Sequence, residues 1–449
     1  MPMLEFSRSA LFRSDSLSWL MAVLIVFVAA NVTAFSVRYL AGDRKRGLHL
    51  TLVCLLAASV LTMSFADHLL VLLAGWAVSN LLLVRLMMHK TEWTAARNSG
   101  LLAGKTFGIG FVFLFAGFWL LADAAGSPYV HEIAASADGA STETKVGLML
   151  IVLAAMTQSA AWPFHRWLLS SLNSPTPVSA LMHAGLVNGG GFLLVRFAPM
   201  FFEQSGILHF LFLAGLVTAV TGTFWKLLQT DIKRMLACST MGQLGFMLMQ
   251  CGMGLFAPAV SHLCWHGLFK AYSFLNAGSV VREKRLDRNA GTVTFGKFLL
   301  ASFAGVIGAC AFAWTSHIPF DLATTGCLMT GVAFMASTQL ALRIPDMPGS
   351  FPRFATVSLI GLISGGSYGA SVWAIESILE PLGLNQPQPL DFIYASGFGI
   401  LTLFWLAMNF DLAGKMQSTA LWKRLYVAAL NASQPHPNTV TANRSTYGI

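Results

Sequence analysis

Charge is what this sequence has least of. Asp and Glu number 19 and Lys and Arg 28 in 449 residues, 10% of the chain, where an ordinary soluble domain carries about 25%. So few ions cannot cover a water-facing surface, and a soluble globular protein is excluded. Cysteine is sparse too. Cys54, Cys238, Cys251, Cys264, Cys310 and Cys327 all lie in apolar runs with no CxxC pair, which supports neither a disulfide framework nor a structural zinc site. They read as small core hydrophobes. Also missing are the alternating segments of about 10 residues that mark a membrane β-barrel.

Apolar residues are abundant instead: 55% of the chain, with 34 Phe and a mean hydropathy of +0.66. At about 20 residues per crossing this fills about 12 membrane spans. The fold class that follows is an all-α polytopic membrane helical bundle. Hydropathy and the Pro, Gly and charge breaks place about 13 helices, at 17–37, 48–65, 68–88, 102–122, 146–172, 176–198, 206–228, 233–254, 257–280, 297–316, 320–342, 355–379 and 391–411. Arg8 and Arg13 precede the first span, but no small-residue cleavage site follows, so it reads as a retained helix and not a signal peptide.

Threading the chain through these spans puts 23 of the 28 cations in one set of loops, while Asp123, Glu132, Asp138, Glu143, Glu203, Asp321, Glu376, Glu380 and Asp391 collect opposite. By the positive-inside rule the N-terminus is outside and the C-terminus cytoplasmic. The asymmetry accounts for the net charge of +9 without nucleic acid as a partner. The soluble mass is an outside loop near 123–145, an inside loop 282–296 and a tail from 412. The tail begins with an amphipathic stretch around Lys415–Leu425, suited equally to the bilayer surface and to a partner, and turns polar and flexible from Ser433.

An ion held at mid-bilayer costs about 2.5–3.5 kcal/mol on insertion scales, so ionisable residues inside spans are candidates for function. His262, His266 and Lys270 stand at i, i+4 and i+8 of one span and share a helix face. Each can hold and release a proton, as a relay requires. The plainer alternative is a lysine that snorkels to the boundary beside two structural histidines. A second group is built around Gln158, Ser159 and Pro163. A proline inside a span removes a backbone hydrogen bond and breaks the helix, freeing carbonyls from about Ser159 onward. Such breaks are tolerated at membrane depth only where they line a cavity or are packed in protein. His183 faces this break from the next helix, where a plain proline kink with a structural histidine is the alternative. Asn188-Gly189-Gly190-Gly191 permits close helix approach and is no phosphate loop, since no strand precedes it and no Lys-Ser/Thr follows. Arg196 and Glu203 suit a structural ion pair. Lys226 is either a pathway exit or a positive-inside anchor.

The run from Gln158 through Ser174-Pro175-Thr176-Pro177-Val178-Ser179-Ala180-Leu181-Met182-His183 to Arg196, then Gln229 to Thr240, then His262 to Lys270, resembles the proton-translocating antiporter-like family of membrane subunits found in respiratory complex I and multisubunit sodium/proton antiporters. The likeness covers roughly residues 65–280. Within that family it is most similar to the DabB-type membrane subunits of inorganic-carbon transporters. The resemblance implies an antiporter-like fold and a proton path through His183, His262, His266 and Lys270, beside which polar Gln158 can order water and Lys226 is a candidate exit. It also implies a soluble zinc-binding β-carbonic-anhydrase-like A subunit on the cytoplasmic side of a bacterial inner membrane. Protons or sodium ions moving down their gradient would make that subunit's hydration of carbon dioxide to bicarbonate one-way. This chain would then be a coupling subunit and not an enzyme, with no catalytic residue, metal or cofactor of its own. The alternative is a pumping subunit of a complex I-like redox complex or of a sodium/proton antiporter. Two positions depart from the family: Ala77 follows Gly75-Trp76 where a glutamate is usual, and Gln158 replaces a lysine. The expected organisation is N-terminal helices 1–64, an antiporter-like core 65–280, C-terminal helices 281–411, and the amphipathic segment with its flexible tail 412–449.

Overall fold

A computed structural model describes residues 11–136, 141–278, 293–318, 320–343 and 350–440. Among them the chain is helical, with only isolated β-bridges. The helices are α1 (Ser16–Tyr39), α2 (Arg46–Phe65), α3 (Leu69–Met87), α4 (Thr94–Ala125), α5 (Val130–Ala135), α6 (Thr142–Gln158), α7 (Arg166–Leu169), α8 (Thr176–Ala184), α9 (Gly189–Arg196), α10 (Ala198–Phe201), α11 (Ser205–Leu228), α12 (Ile232–Gly252), α13 (Phe256–Leu275), α14 (Phe295–Ser316), α15 (Gly326–Ala341), α16 (Ser350–Leu379), α17 (Phe392–Asn409), α18 (Leu412–Lys415) and α19 (Ala420–Ala432). Nine spans among the described residues are long and apolar enough to cross a membrane. Each of the 13 expected helices has a counterpart, and two of them differ in kind. The helix expected over 146–172 stops at Gln158, and the one expected over 176–198 is interrupted at Gly185. Inside loop 282–296 falls outside the described residues up to 292.

The chain divides into two compact units. The first holds α1–α11, α12 through Met249, α13 from His262 and the tail from Leu430. Helix ends are fixed by polar groups that satisfy backbone left open by the helix pattern. Asp15 caps α1 by accepting from the Ser18 amide at 2.8 Å, and α4 ends in a left-handed Gly126 whose N–H reaches back to Ala122 and Asp123. The ion pair expected between Arg196 and Glu203 is not the one formed. Arg196, at the end of α9, pairs with Asp15 and also donates to Ser18 Oγ at 3.0 Å and to the Ser64 carbonyl at 2.7 Å. The planar guanidinium thereby ties α1, α2 and α9 together, a job sequence spacing could not assign to residues 181 positions apart. Arg196 and Asp15 are partly buried, and removing the guanidinium leaves its three acceptors short of a donor. Arg196→Ala is therefore expected to cost about 1–3 kcal/mol. Thermal unfolding in detergent measures this, with Arg196→Lys recovering only part because an ammonium cannot fork to three acceptors.

At the opposite end of these helices the α1–α2 and α3–α4 loops are locked together. Asp43 Oδ1 accepts from the Lys45 amide at 2.8 Å, His89 Nε2 lies 3.1 Å from Asp43 Oδ2, and Lys45 Nζ reaches Glu92 at 2.7 Å. The Lys45 N–H and His89 hold the Asp43 carboxyl below its ordinary value. A depressed folded-state pKa contributes stability above the unfolded value of about 4, lost as pH falls through the folded value. Asp43→Asn is thus expected to melt lower than the parent at neutral pH, the gap closing in acid below about pH 4. Melting curves of both proteins across that range check it.

The tail departs from expectation. Ser433 to Val440 is pinned across this end of the first unit and not free. The His436 amide donates to Ser170 Oγ at 2.9 Å, Asn173 Nδ2 to the Thr439 carbonyl at 2.8 Å, Asn98 Nδ2 to the Asn438 carbonyl at 2.8 Å, and Gln229 Nε2 to Ser433 Oγ at 3.0 Å. Polar, proline-rich composition reads as flexible, yet the loops supply side-chain amides that satisfy its backbone.

The second unit holds Gln250–Ser261 with α14–α18 and α19 through Ala429. Helices α14, α15 and α16 meet through small residues: a Cβ on Gly361 or Gly365 would strike the α14 backbone at Ala304 or Gly308. Ala301, Ala304, Ala341 and Val357 fill the space between. Tyr394 of α17 donates to the Gly252 carbonyl at 2.8 Å.

Candidate functional site

Two broken helices build the centre of the first unit. After Gln158 the chain leaves the helix at Ser159, passes Ala160 in the left-handed region at φ +50° and crosses Pro163 before α7 begins at Arg166. The break thus starts four residues ahead of the proline. The Thr157 carbonyl, reached by the Ala160 amide at 3.4 Å, also accepts from the Trp167 indole N–H at 3.1 Å. The second break, Gly185–Asn188, turns the Leu186 and Val187 carbonyls toward the first, the Leu186 carbonyl also accepting from the Gly189 amide. Gln158 Nε2 donates to Leu186 at 3.2 Å and Ser159 Oγ to Val187 at 3.0 Å. The glycines after Asn188 make this contact possible, because a Cβ on Gly190 would collide with Ser159 Oγ and the Ala155 carbonyl.

Gln158 also faces α3. Its amide exchanges hydrogen bonds with Asn80, Gln158 Nε2 to Asn80 Oδ1 at 3.1 Å and Asn80 Nδ2 to Gln158 Oε1 at 3.3 Å. Both residues are buried. Asn80 is absent from the sequence-based candidates, although a polar residue directly before Leu81-Leu82-Leu83 within an apolar span is the signal for it. A neutral amide pair stands here, one turn beyond Ala77.

The ionisable row lies on α13. His262, His266 and Lys270 do share one face, spanning about 12 Å at 1.5 Å per residue. The rings of His262 and His266 are 6.1 Å apart, and Lys270 is fully buried. Lys270 Nζ donates to the Leu236 carbonyl of α12 at 3.1 Å. The same carbonyl accepts from Thr240 Oγ1 at 3.0 Å, and Thr240 Oγ1 lies 3.0 Å from His183 Nδ1. His183, in the last turn of α8, stacks on Phe274 one turn beyond Lys270. The structure therefore brings His183, His262, His266 and Lys270 together, with Thr240 and the Leu236 carbonyl as links that the sequence did not reveal. Lys226, in the last turn of α11, is within electrostatic reach of Lys270. Gln158 and Ser159 serve the two breaks and form no hydrogen bond to the row.

Chemically the row is unlike a packed core. His266 Nδ1 and Nε2 and His262 Nε2 are buried without a protein hydrogen-bond partner. Such groups are retained where water or a transferable proton can reach them. Among the described residues no cluster of His, Cys, Asp and Glu is placed to hold a metal ion.

Comparison with known proteins gives a consistent picture. Residues 66–299 match the family described as NADH:quinone oxidoreductase/Mrp antiporter, TM, and residues 1–48 match the N-terminus of complex I chain 5. A probable inorganic carbon transporter subunit, DabB1, from Halothiobacillus neapolitanus is 38% identical over 278 residues, 60% of this chain and 50% of the relative. Its counterpart from Bacillus subtilis is 41% identical over 273 residues, 60% and 53% of the two chains. NADH-quinone oxidoreductase subunit L of Pseudomonas aeruginosa is 33% identical over 321 residues, 69% and 51%. This chain therefore spans about half the length of the curated relatives it matches. In structure it is similar to a chain of the Mrp complex from Dietzia sp. DQ12-45-1b, with a TM-score of 0.58 at 23% identity over 94% of this chain and 45% of that one, a likeness of fold.

Proposed function

Because the chain belongs to the NADH:quinone oxidoreductase/Mrp antiporter membrane family, we propose that it is the ion-conducting membrane subunit of an energy-coupled inorganic-carbon uptake complex. Protons, or another cation, pass along His262, His266 and Lys270 and exchange with His183 through the Thr240 turn. Their downhill movement makes hydration of carbon dioxide one-way in a soluble, zinc-binding, β-carbonic-anhydrase-like partner on the cytoplasmic side. Catalysis belongs to that partner. The protein sits in a bacterial inner membrane with its N-terminus outside and its C-terminus cytoplasmic, the orientation favoured by its loop cations.

The observation that carries the proposal is the buried, partly unpartnered row on α13 joined to His183 through one turn of α12. The carbon-transport part is supported by the names of the relatives. A redox pump or sodium/proton exchanger is less well supported, because Ala77 and Gln158 stand where the glutamate and lysine usual in the resemblance would be. Uptake of radiolabelled inorganic carbon by cells expressing the complex tests this. It should collapse on adding a protonophore, and a single large zinc-containing soluble protein should copurify with the chain. Uptake indifferent to the protonophore, or copurification with quinone-reducing or many small membrane subunits, removes the reading.

A further inference from the structure

The first unit contains a narrow slot between α1, α2 and the α8–α9 break, with room inside of about 50 Å³. Its walls are hydrocarbon: Leu24 and Val28 of α1, Leu56 and Met63 of α2, and Phe192 of α9. Ile25 and Ala57, both half-buried, stand at the mouth. Next to them the outward faces of α1 and α2 carry Val26, Phe27 and Leu55, each at least half exposed. In membrane-spanning helices those faces meet lipid, so the mouth opens toward acyl chains and not toward water.

Ser64, Ser79, Gln158 and Asn188 line the slot, and their donors are already used inside the protein. Gln158 gives its amide hydrogens to Asn80 and Leu186, Ser64 and Ser79 give their hydroxyls to the Val60 and Trp76 carbonyls, and Asn188 donates to Ala184. No cation lines it. An anion such as bicarbonate would lose its hydration and find no donor, at a cost far above any contact it could gain. Narrow apolar walls suit the end of a thin, flexible hydrocarbon.

We propose that this slot is a binding site for the acyl chain of a bilayer lipid, inserted laterally between α1 and α2 until its end rests against the Gln158–Leu186 junction. The site is separate from the ionisable row on α13. It brings bilayer composition to the place where the two broken helices lean on each other.

The test uses the whole protein in nanodiscs containing a phospholipid with a photoreactive diazirine near the end of its acyl chain. After illumination, peptides carrying Ile25 and Ala57 should be labelled severalfold more than peptides carrying the fully lipid-facing Val112. Ala57→Phe, which narrows the mouth, should lower labelling in the slot severalfold and leave Val112 unchanged. Uniform labelling of all lipid-facing positions overturns the proposal, as does slot labelling that Ala57→Phe fails to reduce, or a crosslink from the slot to a helix of a partner subunit. Should Ala57→Phe not fold, competition in the parent protein decides: excess unlabelled phospholipid must suppress the slot signal before the Val112 signal. Suppression of both in parallel overturns it.

Discussion

Lys270→Met is expected to reduce inorganic-carbon uptake at least about tenfold, the factor that 1.4 kcal/mol represents, while the protein folds as well as before or better. The two halves of that result have separate causes. Lys270 is fully buried on the face of α13 that carries His262 and His266, so removing its amine interrupts the only row of protonatable side chains that the described residues place there. The fold loses little. The Leu236 carbonyl keeps its hydrogen bond from Thr240 Oγ1, and an unbranched apolar side chain fills the same space without the cost of burying an ammonium. Lys270→Arg sharpens the test. A guanidinium keeps its proton under all relevant conditions. It therefore restores uptake if the position supplies a fixed positive charge, and fails to restore it if a proton must leave. Uptake that survives Lys270→Met with the partner still bound removes the proton path from this helix.

The second large effect is structural. Gly222→Leu is expected to abolish the folded protein or to lower its stability by more than the typical 1–3 kcal/mol of an overpacked core site, about 3 kcal/mol or above. Helices α11 and α12 cross backbone against backbone. A Cβ at Gly222 would strike the Gly242 amide, one at Gly245 the Ala219 amide, and one at Gly215 would lie 2.6 Å from the Met249 amide. Two main chains cannot rotate away as a side chain can, so the helices must separate. Separation shifts Leu236 and Thr240, which connect His183 to Lys270, so any surviving protein should also be inactive. Gly206→Ala in the same helix is the control, because nothing lies within 4 Å of the added methyl. Size-exclusion profiles of fluorescently tagged variants in detergent provide the measurement. A Gly222→Leu protein that elutes and melts like the parent would refute the close crossing.

Much of the site was legible in one dimension. The i, i+4, i+8 spacing of His262, His266 and Lys270 fixes their common face in any α-helix, and the rarity of ions in apolar spans singled them out. Pro163 announces a break that frees carbonyls from about Ser159 onward, and the helix does end at Gln158; that the second break offers the Leu186 and Val187 carbonyls as partners there did not follow from the sequence. The ion pair of Arg196 was assigned to Glu203 for nearness in sequence, whereas Asp15 at the N-terminus of α1 is nearest in space. Thr240 and Asn80 went unnoticed because single neutral polar residues carry no periodic signal. The tail beyond Ser433 reads as flexible by composition, since its composition says nothing of the amides of Asn98, Asn173 and Gln229 that hold it.

By itself the sequence determined that the chain crosses a membrane as helices, roughly where each helix lies, and which buried side chains can carry a proton. These follow from transfer free energy and helical periodicity, which act on a residue and its near neighbours. Which carbonyl each broken end satisfies, which cation meets which carboxylate, and how His183 reaches Lys270 were decided only by the tertiary structure. Those pairings join segments up to hundreds of residues apart, and their geometry exists only once the helices have packed.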